Sequence, residues 1–141
     1  MNLTPDWIVG FVDRAASFFV HIEPHKKYRS GRRMRPEFRI VQSGSERVLL
    51  RAMQQYFGCG SIRTNRSGQL EFRIRKLTDL DRLMAFFRKH PLLSKKRYEA
   101  ELCDEILQEL LANPGMDRGR MTRLERKAKP LTKTTKRGIR A

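Results

Sequence analysis

The sequence predicts an α+β fold whose elements follow the order helix, hairpin, helix, hairpin and helices. Apolar residues almost ring a short segment near the N-terminus, which is typical of a helix buried on two sides. Four later segments alternate apolar and polar residues, the period of a strand with one buried face. Segments between and after them have the i, i+3, i+4 spacing of amphipathic helices. We therefore expect helices to cover one face of an antiparallel four-stranded sheet and to leave the other face open.

The first helix is predicted from Thr4 to about Asp13, because Thr4 can cap it and a proline follows at the first helical position. Gly10 in its middle costs about 1 kcal/mol relative to alanine in an exposed helix. Close approach of a second helix backbone would explain a glycine at this position. No loop separates the helix from the strand that follows.

The first hairpin begins at Ser17, where the apolar period changes to two. The inward residues of its first strand are Phe18, Val20 and Ile22. A second strand covers about Glu37 to Gln42 and alternates in the same way. The intervening residues, Pro24 to Pro36, are dominated by Lys, Arg and Gly. We expect this connection to be long, polar and mobile in the unbound protein.

An amphipathic helix is predicted from Ser45, its candidate cap, to Phe57, and Gly58 ends it. Its apolar stripe is Val48, Leu49, Ala52, Met53 and Tyr56. The second hairpin has strands over Ser61–Asn65 and Leu70–Arg75, joined by a turn at residues 66–68. The inward residues of its second strand are Leu70, Phe72 and Ile74.

Helices complete the predicted fold. They cover Thr78 to Lys89, Ser94 to Leu111 and, after an Asn-Pro-Gly turn, residues 116–127. The stripe of the first of these helices is Leu80, Leu83, Met84 and Phe87. We divide the chain into a core domain of residues 1–112, a basic helical segment of residues 113–128 and a basic flexible tail of residues 129–141.

The open sheet face is the predicted binding surface. Its basic residues are Arg39, Arg63, Arg73 and Arg75, interleaved with Ser17, His21, Gln42 and Glu71. Guanidinium groups on a sheet can read phosphates and base edges in a major groove. The alternative is that exposed strand positions in a basic protein are simply basic. The clean apolar character of the opposite face favours the groove interpretation.

The charge of the chain favours a polyanionic partner. Its 141 residues include 31 Lys and Arg against 15 Asp and Glu, a net charge of +16. Because no apolar run approaches the roughly 20 residues that span a bilayer, we expect no membrane partner. We expect an intracellular protein, in the cytoplasm or nucleoid or in an organelle. Cys59 and Cys103 lack the spacing of a zinc site or a disulfide framework, so both are expected to be free thiols.

Residues 7–22 resemble the LAGLIDADG motif of homing endonucleases, a helix that runs directly into a strand. Three further segments resemble that family in the same order. They are Phe38–Gln42, the aromatic-Gly-x-Gly segment Tyr56–Ile62, and His90–Lys96. The similarity extends over roughly residues 3 to 128. It implies the family's αββαββα fold, in which the antiparallel four-stranded sheet is saddle-shaped.

The resemblance also places a catalytic site. In the family an acidic residue near the end of the motif helix binds a divalent metal, and the corresponding residue here is Ala15. Gln42 would lie near the metal and Lys96 near the scissile phosphate. We expect nucleic-acid binding without cleavage and no cofactor, with Mg²⁺ only if the acid is restored or replaced. Glu23 is the acid that could replace it, so an active homing endonuclease stays open, as does one inactivated by design.

The single motif implies a homodimer on a roughly palindromic site, because the family's helix packs against a twin. Val9, Gly10 and Asp13 would lie in the interface. Arg14 near the axis would bring like charges together, so a monomer within a ribonucleoprotein stays open.

Duplex DNA is the favoured partner and structured RNA the alternative, as for an intron maturase or a ribosomal component. Residues 113–141 hold ten Lys or Arg against two acids, half of the net charge, which would suit an arm on folded RNA. Further candidate contacts in the basic connection are Lys26, Lys27, Arg32 and Arg33.

Overall fold

The computed structural model describes residues 1–132, and its elements follow the predicted order. They are α1 (Pro5–Ala15), β1 (Ala16–Pro24), β2 (Arg32–Gln42), α2 (Arg47–Phe57), β3 (Ser61–Thr64), β4 (Leu70–Ile74), α3 (Leu77–Lys89), α4 (Lys96–Ala112) and α5 (Arg118–Ala128). Short 3₁₀ turns precede α2 and follow α5. No helix in this part of the chain is long and apolar enough to span a bilayer.

The strands form one antiparallel sheet in the order β1-β2-β4-β3. Its register aligns the predicted inward residues, with Phe18 opposite Phe38, and Ile40 opposite Phe72. Phe87 of α3 lies edge-on to Phe18, with ring centroids 6.3 Å apart. The predicted stripe of α3 is buried throughout, as are the predicted inward residues of β4. The α+β fold with an antiparallel four-stranded sheet is therefore confirmed.

Helix α1 begins and ends close to the predicted positions. Thr4 caps it, because its Oγ1 accepts a hydrogen bond from the Trp7 amide at 3.3 Å. The helix extends to Ala15, and the amide of Ala16 donates to the carbonyl of Val12. Ala16 is also the first residue of β1 and pairs with Ile40. Helix and strand are therefore joined without a loop.

The first hairpin corrects one prediction. The connection is not the long segment from Pro24 to Pro36, because β2 begins at Arg32. A tight turn of residues 25–31 joins the strands, and the Gly31 amide donates to the Tyr28 carbonyl at 2.8 Å. Met34 and Pro36 are buried on the covered side of the sheet, so the strand alternation continues through this stretch. The intervening arginines obscure that period in the sequence.

Helix α2 begins at Arg47, two residues after the predicted start at Ser45. Ser45 is not its cap but lies within the 3₁₀ turn Gly44–Glu46, which Ser43 caps by accepting a hydrogen bond from the Ser45 amide at 3.3 Å; the N-cap position of α2 is Glu46, which makes no side-chain capping hydrogen bond. Leu50 is fully buried whereas Val48 is 69% exposed, so the buried stripe is displaced from the predicted one. Gly58 ends the helix in the left-handed region, with φ of 69°, as predicted.

The C-terminal segment packs into the same core as the rest of the domain. Met121, Leu124 and Ala128 of α5 are buried in it, so the core is not confined to residues 1–112. Leu131 is also buried, and Thr132 forms a bridge with Val20 on the edge strand β1. The predicted flexible tail therefore does not begin at residue 129. The remainder of that predicted tail, residues 133–141, lies outside the described residues.

Candidate nucleic-acid interface

The sheet surface opposite the helices, here called the open face, is arranged in rows across the strands. One row contains Ser17, Arg39, Arg73 and Ser61, one residue from each strand. A neighbouring row contains Val41, Glu71 and Arg63. On the other side lie Phe19 and Glu37, and then the pairs His21 with Arg35 and Glu23 with Arg33. Arg75 follows the end of β4 and reaches Glu37.

Glu37 lies at the centre of the open face and is only 1% exposed. Its carboxylate contacts Arg39 Nε at 2.6 Å, Arg75 Nε at 3.2 Å and His21 Nε2 at 3.4 Å. Burial alone would raise the pKa of this carboxyl, but the contacts with His21 and Arg39 outweigh it and lower the pKa to about 2. Glu37 is therefore a buried anion at physiological pH.

Glu71 is a second buried carboxylate on the same face. It accepts hydrogen bonds from Arg63 Nε at 3.0 Å and from Asn65 Nδ2 at 3.3 Å. Burial would raise its pKa, but these hydrogen bonds and the charge of Arg39 lower it below the ordinary value. The two glutamates thus hold three of the four predicted arginines.

Arg73 stands between these two clusters. Among residues 1–132 it forms no ion pair, and its buried Nε has no hydrogen-bond partner. Partial burial lowers its pKa, and the neighbouring charges of Arg63 and Arg75 act in the same direction. Its guanidinium is therefore the central cation of the open face that remains available for an external anion.

Most predicted contact residues in the strands gather on this face, but two do not. Gln42 pairs with Leu70, which places it on the covered side of the sheet and not beside His21 as predicted. Arg32 also faces the helices, where it forms an ion pair with Glu125 of α5 and donates to Thr122 Oγ1 at 3.1 Å. Arg33 lies at the hairpin end of the open face, 3.8 Å from Glu23. Exposed side chains in the adjoining turn include Lys26 and Lys27.

Sequence reasoning missed Glu37 as a site residue. The available signal was an acid at the same strand parity as Arg39, in a stretch otherwise occupied by arginines. Its burial depends on side chains from β1 and from beyond β4, which the local sequence does not reveal.

The predicted catalytic positions lie around the C-terminal end of α1. Ala15 is the last residue of that helix. Gln42 lies at the same end of the sheet, two residues beyond the partner of Ala16. Lys96 is close enough to Asp13 for its charge to help lower the pKa of that carboxyl. The fold therefore brings the three predicted positions to one end of the molecule.

Asp13 has an internal role. Its carboxylate accepts hydrogen bonds from the Leu93 amide at 2.9 Å, the Ser94 amide at 3.1 Å and Ser94 Oγ at 2.8 Å. Burial alone would raise the pKa of Asp13, but these bonds and Lys96 lower it. The carboxylate thus fastens α1 to the segment that leads into α4. Its place in a dimer interface stays a prediction, and its carboxylate is engaged by this segment of the same chain.

The residues around Ala15 do not fit a divalent metal. A methyl group supplies no ligand, and no group of three or more His, Cys, Asp or Glu within residues 1–132 is placed to hold a metal ion. Glu23 does not replace the missing acid, because it lies about 25 Å further along β1. There its carboxylate contacts Arg35 Nε at 3.2 Å.

Of the three predicted interface residues, only Gly10 is exposed, and apolar side chains lie beside it on the outer surface of α1. Val9 is buried in the protein's own core, whereas Gly10 is exposed and no atom lies within 4 Å of a Cβ built on it. Trp7 is 42% exposed and stacks on Phe11, with ring centroids 5.1 Å apart. Leu93 beside the helix is 85% exposed.

Residues 8–107 match the LAGLIDADG endonuclease family. The chain belongs to that family. A crystal structure of the homing endonuclease I-TnaI aligns with a TM-score of 0.90 and 33% identity over 96% of this chain and 92% of that one. Among curated proteins, the probable intron-encoded endonuclease 2 of Neurospora crassa is 31% identical over 115 residues, 79% of this chain and 25% of that protein.

A second solved structure is that of the LAGLIDADG meganuclease I-CpaMI bound to uncleaved DNA. It aligns with a TM-score of 0.81 and 26% identity over 87% of this LAGLIDADG chain, and it is matched over 42% of its own length. The present chain thus spans about a quarter of the Neurospora protein and less than half of the DNA-bound meganuclease.

Proposed function

We propose that this LAGLIDADG protein binds duplex DNA through the open face and does not cleave it. The observation that carries the proposal is Ala15 at the end of α1, the position of the family's metal-binding acid, in a fold whose arginine-bearing face is intact. The DNA-binding part of the proposal is supported by a relative of the same fold, the meganuclease I-CpaMI, whose structure is in complex with DNA.

The charge on the open face suits a polyanion. Its basic side chains are Arg33, Arg35, Arg39, Arg63, Arg73 and Arg75, and its acids are Glu23, Glu37 and Glu71. The surplus of positive charge would neutralise phosphates and release counterions, so affinity would fall steeply with salt. Guanidinium groups held by a rigid sheet can also bond guanine O6 and N7 in the major groove.

Cleavage by the family's chemistry requires a metal to activate water and stabilise the leaving oxygen. Ala15 offers no oxygen to such an ion, and the Asp13 carboxylate is committed to the Leu93 and Ser94 amides. Lys96 alone could interact with a phosphate but not generate a nucleophile. Binding is therefore the activity that this arrangement retains.

A second copy of the chain would complete the binding surface. The chain has one α1 motif and covers 42% of the DNA-bound meganuclease. Its α1 surface exposes Trp7, Gly10 and Leu93, which are suited to helix-to-helix contact. A C2 pair would align two open faces on a palindromic site. Arg14, exposed at the end of α1, opposes this association and leaves a monomer within a larger assembly as the alternative.

Structured RNA is the second candidate partner. The observation that favours it is the exposed basic surface of α5, which includes Arg118, Arg120, Arg123 and Arg126 and lies outside the open face. A surface of this kind binds phosphates without reading bases.

Competition binding tests the proposal. Labelled random duplex DNA is displaced by unlabelled duplex or by folded RNA of equal charge, at two salt concentrations, and a parallel incubation with Mg²⁺ or Mn²⁺ monitors strand scission. We expect duplex DNA to compete better and to remain intact. Robust cleavage by the unaltered protein would refute the loss of catalysis, and a clear preference for folded RNA would favour the second partner.

A further inference from the structure

We infer that Glu37 is a positioning residue for base recognition, which fixes the guanidinium groups of Arg39 and Arg75 before DNA arrives. The inference rests on the proposed function, because it concerns how the open face would distinguish one duplex sequence from another. It assigns sequence discrimination to a residue that itself need not touch DNA.

Glu37 restrains both arginines, in each case by a contact with the Nε atom of the guanidinium group. One carboxylate oxygen contacts Arg39 Nε at 2.6 Å, and the other contacts Arg75 Nε at 3.2 Å. Within the described residues, neither guanidinium makes another hydrogen bond, so the terminal nitrogens of both remain available. The guanidinium of Arg39 also lies over the Phe19 ring, 5.2 Å from its centroid. Arg39 is thus held by Glu37 and by the Phe19 ring, and its two terminal guanidinium nitrogens are free to donate.

Prior restraint matters because a free arginine loses rotamer entropy when it is ordered. Bidentate recognition of guanine needs the guanidinium plane aligned with the base edge. An arginine already held in place loses less entropy at the correct base and is less able to adjust to an incorrect one. The contact with Glu37 would therefore increase discrimination.

The sign of the charge separates this role from simple electrostatics. A buried carboxylate on a DNA-facing surface repels phosphates and reduces the net positive charge, so it opposes binding to every sequence equally. If Glu37 acted only as a charge, its removal would tighten binding to all duplexes alike. If it positions Arg39, its removal weakens binding to the preferred sequence relative to all others.

The experiment begins with selection of the preferred duplex by the wild-type protein from a randomised library. Affinities for that duplex and for a scrambled one are then compared in wild type and Glu37→Gln. The matched control is Glu101→Gln, the same charge change on the helical side of the sheet, where Glu101 pairs with Arg97 at 3.9 Å. Circular dichroism and thermal melting confirm that each variant folds.

We expect Glu37→Gln to reduce the ratio of preferred to scrambled affinity by about tenfold or more, with the loss confined to one or two adjacent base pairs. The Glu101→Gln ratio should equal that of wild type. In an Arg39→Ala, Arg75→Ala background, Glu37→Gln should have little further effect on discrimination, because both residues through which it acts are gone. Glu37→Asp keeps the charge and withdraws the carboxylate, so it should also lose discrimination, and it provides the test if the Gln variant does not fold.

Three outcomes would overturn the inference. Equal tightening on both duplexes in Glu37→Gln would identify a purely electrostatic role, and an unchanged ratio in Glu37→Asp would show that orientation is irrelevant. A wild-type protein that binds duplex DNA but selects no sequence would overturn the inference alone, whereas one that binds no duplex would overturn the proposed function as well. In the first two cases the proposed function survives, because the wild-type preference is measured independently.

Discussion

Replacing Glu37 with Gln should reduce the loss of unfolding free energy that wild type shows as the pH falls. The pKa of this carboxyl is about 2 in the folded protein, against 4.5 for the unperturbed group, because the contacts with His21 and Arg39 outweigh the effect of burial. The unfolded chain therefore takes up this proton first as the pH falls. The carboxylate stabilises the fold fully above about pH 4.5, and this contribution is lost progressively as the pH falls through 2.

The expected magnitude follows from that displacement. One pKa unit corresponds to about 1.4 kcal/mol, so a fall from 4.5 to about 2 is worth about 3 kcal/mol once complete. The linkage relation assigns about 2 kcal/mol of this to the range between pH 6 and pH 3. Glu37→Gln has no proton to take up at this position. The other carboxyls of lowered pKa, such as Asp13 and Glu71, are present in both proteins and cancel in the comparison.

Urea unfolding followed by far-UV circular dichroism, at a series of pH values and constant ionic strength, measures the effect. The free energy of unfolding of wild type should fall between pH 6 and pH 3 by about 2 kcal/mol more than that of Glu37→Gln. Parallel curves for the two proteins over this range would refute the reasoning, because they would mean that Glu37 has the same proton affinity in the folded and unfolded states.

Three further predictions concern other regions. Ala15→Asp or Ala15→Glu should gain partial nicking of the preferred duplex with Mg²⁺, measured on gels, and an inert variant would mean that the surrounding geometry has also changed. Gly10→Leu should abolish dimer formation through α1, measured by light scattering, without lowering the melting temperature, because no atom of the protein itself lies within 4 Å of an added Cβ. Equal masses for wild type and variant would show that α1 is not the interface. Removing residues 133–141, which hold four Lys or Arg, should weaken binding to all duplexes alike and reduce the salt slope by no more than about 4, whereas a loss specific to one sequence would contradict a purely electrostatic tail.

The sequence predicted the elements with clean periods and failed where long polar side chains interrupt them. Leu70, Phe72 and Ile74 alternate without exception, and all three are buried as expected. Residues 32–36 form a strand of the same kind, but arginines on either side of Met34 gave the stretch the composition of a loop. These residues form a strand because they pair with β1 along the whole length of the hairpin. That pairing is not visible in the local sequence pattern.

The candidate site was predictable to a similar degree. Strand parity placed Arg39 and Arg73 on one face, and the structure pairs them directly across β2 and β4. Which arginine pairs with Glu37 and which with Glu71 was not predictable, because it depends on contacts between strands that are distant in the sequence. Gln42 was predicted on the wrong face for a different reason, since it shares the strand parity of Phe38 and Ile40 and the alternation of β2 alone places it on the covered side.

The direct joint between α1 and β1 fixes how far apart two binding surfaces can stand. Since Ala16 bonds back into the helix and simultaneously pairs with β2, the joint contains no hinge. Two copies associated through α1 would hold their sheets at one separation and one relative rotation. A single base pair inserted between the half-sites shifts one of them by about 3.4 Å and turns it by about 35°. A rigid pair cannot follow that change, so half-site spacing would be read as strictly as the bases themselves.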